Sequence, residues 1–340
     1  MDQKVGILIL GFNNIQYLKE CLDSVQAQEY KNISIYYGDN GSKDGSISFV
    51  KKNYQKVKTM DLKINNGYAK GNNLLLEAAF KKGIDLCFIL NPDTVLKKNT
   101  ISTLVRSYND HKSKGKKVGL IQPVVLLDQN KTRINTIGNA VHLMGFGFCK
   151  DYMKKYVPIK HDKEILSVSG AGMLISKELY KDIGAFDEDF FTYCEDEDLS
   201  IRSFLSGYKN FFSSRSIMYH KYSFSKNMDK WFYTERNRLL IMLKNYPTKL
   251  LLFLAIPFLI TEIFVIVYSL FTGWFFQKIL SYGDIIKKII QGYKKRKPFK
   301  VEKNYINRLE YSLNFKPIHK IPVIFNWPYL FYKKFLIFFF

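Results

Sequence analysis

The side chains of this chain that are able to do chemistry sit in a few short polar motifs. Asp39-Asn40-Gly41-Ser42-Lys43-Asp44-Gly45-Ser46 sets a carboxylate ahead of small residues that let backbone amides approach a ligand. That arrangement suits a nucleoside, and equally an Asx turn capping the next helix. Asn91-Pro92-Asp93 follows the apolar run Phe88-Ile89-Leu90 and presents one carboxylate. Mg²⁺ and Mn²⁺ take oxygen ligands and often use one or two carboxylates plus substrate phosphates, so a single Asp suffices for a shared site, although the tripeptide alone is commonly a plain turn. Glu195-Asp196-Glu197-Asp198 is the densest acidic cluster of a basic protein and is followed by Leu199, Arg202 and Leu205 at helical spacing. A helix N-terminus favours such charges. The adjoining Phe186-Asp187-Glu188 and Phe190-Phe191-Thr192-Tyr193 supply an apolar wall able to raise a carboxylate's pKa and shape a base for an alcohol.

These motifs need elements to hold them. Val5 to Leu10 reads as a buried strand ending in the turn Gly11-Phe12-Asn13-Asn14. Ile15, Leu18, Cys21, Leu22 and Val25 then recur at helical spacing, and Ile33 to Tyr37 is a second strand that stops at Gly38-Asp39. This βαβ unit predicts a parallel sheet. Met60 to Ile64 continues it as a short strand, Gly71 to Lys81 as a helix, and Leu86 to Leu90 as a buried strand. Ligands of open α/β sheets sit beyond the carboxyl ends of the strands, so the three polar loops are expected to converge. Later come Val118 to Leu127, a strand near Ser167 to Ile175 and a helix from about Ser176, which are expected to build the acceptor side.

A chain of 340 residues suits one catalytic domain plus an appended segment. The net charge of +22 requires an anionic partner, either nucleic acid, an acidic lipid surface or a phosphorylated small molecule. Aromatic residues are 16% of the chain and gather late, as in Trp274-Phe275-Phe276 and Phe338-Phe339-Phe340, which fits a membrane interface better than a nucleic-acid binder. Cys21, Cys87, Cys149 and Cys194 lack CxxC spacing and read as reduced intracellular thiols. The N-terminal apolar run ends at Leu10, too early for a signal-peptide core, so catalysis is expected in the cytosol.

The order of the motifs resembles that of the family 2 glycosyltransferases, inverting enzymes with the GT-A fold, and within them a rhamnosyltransferase-like branch. The resemblance runs from Val5 to Pro247 through Gly11-Phe12-Asn13, the Asp39 loop, Asn65-Asn66-Gly67-Tyr68-Ala69-Lys70-Gly71-Asn72-Asn73, Leu90 to Asp93, Ser169-Gly170-Ala171-Gly172-Met173, Gly184 to Glu188, the acidic cluster with Arg202, His220 and Arg236-Asn237. It implies an α/β fold of nucleotide-diphospho-sugar transferase type, Rossmann-like, with a mostly parallel mixed sheet. It implies donor contacts from Gly11, Asn13, Asp39, Ser42, Asn65, Gly67, Asn73, Asn91 and Arg202, with Asp39 on the nucleoside and Asn73 on a loop lying over the donor. Asp93 would hold a divalent Mn²⁺ or Mg²⁺ ion, and His220 would complete that metal site or contact the diphosphate. Gly170, Ala171 and Glu195 would line the acceptor side, and Asp196 would be the general base. Many such enzymes show two carboxylates where this chain has Asn-Pro-Asp, so Asp93 is the one direct carboxylate ligand expected there.

The catalytic domain is expected to span 1–247 and a membrane-associated segment 248–340, with an apolar stretch 250–280, a basic stretch 287–300 and an aromatic apolar stretch 321–340. Leu250 to Phe276 is long enough to cross a bilayer, but Pro257 and Glu262 interrupt it, and one crossing would set two basic regions on opposite sides. A helical hairpin or an interfacial helix avoids that conflict. The resulting expectation is transfer of a sugar from a nucleotide donor to a hydroxyl of a surface polysaccharide or lipid-linked glycan, at the cytoplasmic face of an anionic membrane. The competing reading is a non-catalytic scaffold docking glycan-assembly enzymes. No nucleic-acid partner is expected, and homo-oligomerisation is left open.

Overall fold

The first strand, β1 (Val5–Gly11), packs on both faces: Val5, Ile7 and Ile9 join one apolar cluster and Leu8 the other. Side chains alternate along a strand, so a strand covered on both faces reads as an unbroken apolar run. The same holds for β4 (Leu86–Leu90), where Leu86, Phe88 and Leu90 face one cluster and Cys87 and Ile89 the other. The computed structural model describes residues 3–222, 228–294 and 303–309. Their contacts form two units, 3–139 with 149–222, and 140–148 with 228–294 and 303–309.

In the first unit β1 leads to α1 (Ile15–Gln26), β2 (Ile33–Asp39), α2 (Ser46–Asn53), β3 (Lys58–Asp61), α3 (Gly67–Lys81) and β4. Then come β5 (Thr94–Leu96), α4 (Thr100–Ser113), β6 (Val118–Leu127) and β7 (Asn130–Thr136); the chain next forms a ribbon of β8 (Asn139–Val141) and β9 (Gly147–Cys149), most of which belongs to the second unit, and returns as β10 (Lys163–Ile165). β11 (Gly172–Ser176), α5 (Lys177–Ile183), α6 (Glu195–Leu205) and β12 (Lys209–His220) complete it. The main sheet runs β10-β12-β6-β11-β4-β1-β2-β3, with β5 on β12 and β7 on β6. β3, β2, β1 and β4 are mutually parallel, whereas β11 is antiparallel to β4 and β6. After β3 the chain crosses to the far side of β1 to form β4, so the order reverses there and opens a crevice at the carboxyl ends of β1 and β4.

Three expected elements shift. The strand expected at Met60 to Ile64 is β3, Lys58–Asp61, and the chain leaves the sheet through Lys63 at φ +66°. α3 begins at Gly67 rather than Gly71, because Asn65 Oδ1 accepts the Gly67 N–H at 2.9 Å and turns the chain into the helix early. Asn73 therefore lies on a helix and not on a loop. The strand expected at Ser167 to Ile175 is shortened to β11, leaving Ser169-Gly170-Ala171 as a turn, and Ser176 caps α5 by accepting the Leu179 N–H at 3.1 Å.

The second unit holds α7 (Met228–Asn245), α8 (Thr248–Thr272), α9 (Phe275–Lys294) and α10 (Lys303–Arg308). α9 runs parallel to α7: Trp231 stacks on Trp274 at 4.6 Å, Lys278 meets Glu235 at 2.6 Å, and Arg236 meets Asp284 at 3.4 Å. These contacts group α7 with the helices that follow it, so the division lies ahead of the expected boundary at 247. The apolar stretch is broken where Gly273, with φ +81°, ends α8. Residues 295–300 of the basic stretch, and the whole aromatic stretch 321–340, lie outside the described residues.

Candidate functional site

The end of β1 and the end of β2 are tied together by their turns. A Cβ on Gly11 would stand 2.3 Å from the Tyr37 hydroxyl, so only glycine fits, and the Gly11 carbonyl accepts the Asn40 N–H at 2.8 Å. Asn13, at φ +50°, donates its N–H to Ser42 Oγ at 3.0 Å and accepts the Lys43 N–H on Oδ1 at 2.8 Å. The Asp39 carboxylate accepts the Ser42 N–H at 3.0 Å and the Tyr37 hydroxyl at 3.3 Å. The turn-capping role is thus present, and a carboxylate with about four acceptor positions keeps capacity for a ligand. Asn40 joins this loop to the next: its Nδ2 donates to Asn65 Oδ1 at 3.0 Å and to the Gly67 carbonyl at 3.1 Å.

Several residues expected to touch the donor also hold neighbouring segments together. Asn65 is held by Asn40 and Gly67. Gly67, at φ +73°, is needed because a Cβ would meet Phe191 at 2.5 Å. Asn73 donates to the Phe186 carbonyl at 2.9 Å and accepts the Phe186 N–H at 3.0 Å, pinning that segment to α3. Arg202 bonds Asp198 at 2.7 Å, the Ile183 carbonyl at 3.0 Å and the Ala185 carbonyl at 2.6 Å. A guanidinium so engaged fixes the 183–185 turn and pairs with the buried Asp198 carboxylate.

Asp93 stands just beyond β4. Its Oδ1 is buried with no hydrogen-bond partner, and Oδ2 lies 3.3 Å from His220 Nε2. Antiparallel pairing of β5 with β12 sets His220 opposite Thr94 and so creates this meeting. His220 Nδ1 is 2.8 Å from Asn135 Oδ1, so the ring donates there and Nε2 is the nitrogen that faces Asp93. A buried carboxylate oxygen with no hydrogen-bond partner, on a side chain beside an imidazole nitrogen, is a donor set that fits a divalent cation. Among the described residues no three His, Cys, Asp or Glu side chains cluster as a metal site, so the remaining ligands would come from substrate phosphates and water.

Asn91, expected at the donor, bonds through its backbone: its N–H donates to the Ala171 carbonyl at 3.0 Å and its carbonyl accepts Thr94 Oγ1 at 2.6 Å. The first of these ties the end of β4 to the Ser169-Gly170-Ala171 turn, and that turn reaches α6, for the Gly170 N–H donates to Asp196 Oδ2 at 2.7 Å. Asp196 Oδ1 accepts the Glu197 N–H at 2.9 Å. The four acidic side chains are not equivalent. Asp198 pairs with Arg202, while Glu195 and Glu197 are buried with unpartnered oxygens, and burial, then the neighbouring carboxylates, pushes both well above the usual range. Asp196 is half-buried. Burial raises its pKa too, but the two N–H donors oppose that, leaving it the member suited to ionise and take a proton.

The segment leading into α6 is strained. Phe191, at φ +60° and ψ −66°, centres a turn closed by Thr192 N–H to the Phe190 carbonyl at 2.7 Å, a rare γ-turn. Tyr193 and Cys194 follow at φ +66° and +64°. Each such residue costs about 1–3 kcal/mol and persists only where its surroundings dictate it. Here the Phe191 carbonyl accepts the Ala69 N–H at 3.0 Å and Gly67 packs against the Phe191 ring. Tyr68, which the motif reading passed over, donates its hydroxyl to the Gly170 carbonyl at 2.6 Å. Asn40 and Asn135 were likewise passed over, since their partners are distant in sequence.

The sequence profile described as Glycosyl transferase family 2 matches residues 7–184. The chain is 23% identical over 241 residues to the N-acetylglucosaminyl-diphospho-decaprenol L-rhamnosyltransferase of Mycobacterium tuberculosis H37Rv, covering 65% of this chain and 77% of that protein. Its fold is similar to that of S. aureus TarS 1-349 in complex with UDP-GlcNAc, with TM-score 0.54 and 16% identity over 90% of this chain and 84% of the other. Mannosyltransferase PcManGT of Pyrobaculum calidifontis in complex with GDP-Man and Mn²⁺ is also similar, with TM-score 0.50 and 15% identity over 84% of this chain and 87% of the other.

Proposed function

The chain belongs to glycosyl transferase family 2 and has the GT-A fold of nucleotide-sugar glycosyltransferases, and from that premise we propose that it transfers a sugar with inversion from a nucleoside-diphosphate donor to a hydroxyl of a surface polysaccharide or lipid-linked glycan. One observation carries the proposal. The run of hydrogen bonds from the end of β4 through Ala171 and Gly170 to Asp196 brings an ionisable base to the same end of the sheet as the Asp93–His220 pair. Asp39, beside β1 and β2, takes the nucleoside. Asp93 and His220 would hold a Mn²⁺ or Mg²⁺ ion, whose contribution is to neutralise charge on the departing diphosphate. Asp196 takes the acceptor hydroxyl's proton as its oxygen attacks the anomeric carbon. Burial of Glu195 and Glu197 raises their pKa and so favours the neutral form beside the base. The rhamnosyl relative favours a deoxyhexose donor, and the UDP-GlcNAc-bound neighbour a UDP-hexose.

The test is turnover of a panel of UDP- and dTDP-sugars with Mn²⁺, reading the product's anomeric configuration by NMR. Inversion supports the proposal. Retained configuration rejects the single displacement, and donor binding without turnover favours the scaffold reading.

An anionic membrane surface at the cytoplasmic side is the proposed location, and it matches an acceptor held on a lipid. An 18-residue stretch of α8 has mean hydropathy 2.8, and the helix is long enough to cross a bilayer. Its exposed Leu252, Ile256, Leu259, Ile263, Val267 and Leu270 repeat at three- and four-residue spacing, forming one apolar stripe. Glu262 is matched inside the second unit by Arg238 at 2.5 Å and Lys278 at 2.8 Å, not offered to lipid. Lys287, on α9, is exposed beside Ile286 and suits acidic headgroups. The double variant Ile256→Glu, Ile263→Glu is expected to reduce co-flotation with phosphatidylglycerol-containing vesicles by about ten-fold or more while leaving nucleotide binding intact, since each buried isoleucine contributes about 1.5–3 kcal/mol. Unchanged flotation would reject the stripe as the lipid-facing surface.

A further inference from the structure

Tyr68 opens α3, on the donor side of the site, yet its hydroxyl reaches a residue 102 positions away, donating to the Gly170 carbonyl at 2.6 Å. Gly170 in turn donates its N–H to Asp196 Oδ2 at 2.7 Å. The fit is close on all sides: a Cβ on Gly170 would stand 3.3 Å from both Asp196 Oδ2 and the Tyr68 hydroxyl. The Tyr68 ring is set by an edge contact with Phe186, centroids 5.7 Å apart, and Phe186 is itself clamped by Asn73 from the same helix. The first turn of α3 also carries Gly67 and Ala69, which hold the strained Phe191 just ahead of α6. One helical turn thus grips both the peptide that hydrogen-bonds Asp196 and the segment that launches the helix bearing it.

We propose that Tyr68 is a positioning residue that sets the Asp196 carboxylate through Gly170, so that the helix following the donor loop determines where the base stands. The inference rests on the reading of Asp196 as base. Without the Tyr68 hydroxyl the Ser169-Gly170-Ala171 turn is released, and the Gly170 N–H no longer holds Oδ2 in one place. Nothing of the donor's grip is removed, because Asp39, Asp93 and His220 lie on other elements. Glu195, Glu197 and Asp198 share the helix with the carboxylate, and Glu195, Asp196 and Asp93 all bear on the Tyr68 hydroxyl. Burial raises the Asp196 pKa, and its N–H donors oppose that rise.

The experiment is steady-state hydrolysis of UDP-glucose, UDP-GlcNAc and dTDP-rhamnose, with water as acceptor, by the full chain in detergent, comparing wild type, Tyr68→Phe and Asp196→Asn. Phenylalanine keeps the ring against Phe186. For Tyr68→Phe we expect kcat to fall about 10- to 30-fold, KM for the donor to stay within about three-fold, and the acid limb of the pH profile to move to higher pH, because a carboxylate that has lost an N–H bond holds its proton more tightly. A merely structural role would lower donor binding and activity together and leave the limb in place. If Asp196→Asn is slow and Tyr68→Phe behaves as wild type, or loses KM and kcat together, the positioning role is rejected while the base stands. If Asp196→Asn hydrolyses donor at the wild-type rate, the base reading fails and the positioning role with it.

Discussion

Asp196→Asn is expected to slow sugar transfer by about 10²–10⁴-fold, the range lost when a positioned general base is removed, while UDP affinity changes by less than about three-fold. The asparagine keeps the shape and one oxygen acceptor but does not take a proton. Both carboxylate oxygens of Asp196 accept backbone N–H groups, from Gly170 and from Glu197. An amide nitrogen must face one of these donors, so the variant is also expected to lose about 1–3 kcal/mol of stability. Thermal unfolding separates that loss from the loss of turnover, because a folded, donor-binding, inactive protein is the expected product. The pH dependence has a definite sign. The base works deprotonated and burial raises its pKa, so the rate falls as pH drops through a point above the ordinary aspartate value of about 3.9. Glu197→Gln, which removes a carboxyl group already pushed toward its neutral form by burial, is expected to leave the rate within about five-fold. Equal losses in the two variants would move the base elsewhere in the cluster.

The parts of this fold that sequence makes plain are those whose signal is local. Val5 to Leu10 and Leu86 to Leu90 are apolar throughout because both faces of each strand are covered, and Gly11 is a glycine because the Tyr37 side chain occupies the space a Cβ would need. Asp93 is legible as a strand-end carboxylate, whereas the hydrogen bond from His220 to Asn135 that sets its imidazole ring depends on pairing of β6 with both β12 and β7 and is invisible in order alone. Motif order also carries no information about side-chain direction. Arg202 and Asn73 occupy family positions, but in this chain their polar atoms bind the backbone at 183–186. The early start of α3 was hidden because Asn65-Asn66-Gly67 has loop composition, and only the Asn65 side chain bonding Gly67 turns it into a helix start. Tyr68 lies ahead of the helix expected from Gly71, in a stretch of loop composition. Its partner is a carbonyl on a turn that the sequence assigned to a strand.

Asp93→Ala is expected to abolish the increase in UDP affinity that Mn²⁺ gives the wild type, an effect of about 100-fold or more if the ion bridges protein and diphosphate. The fold is expected to survive. The Asp93 backbone carbonyl still accepts the Lys221 N–H at 2.9 Å, and the side chain removed has an unpartnered Oδ1 and touches His220 through Oδ2. Among the described residues no cluster of three His, Cys, Asp or Glu side chains provides a substitute site, so the ion would be left with His220 and phosphate oxygens. Titration calorimetry of UDP with and without Mn²⁺ reads the difference directly. Nucleoside binding at Asp39 predicts that the metal-free affinity is the same in both proteins, because the buried Asp39 carboxylate is set by Ser42 and Tyr37, neither of which depends on Asp93. A Mn²⁺ increment of equal size in wild type and variant would place the ion elsewhere. No increment in either protein would reject the metal site at Asp93 and His220.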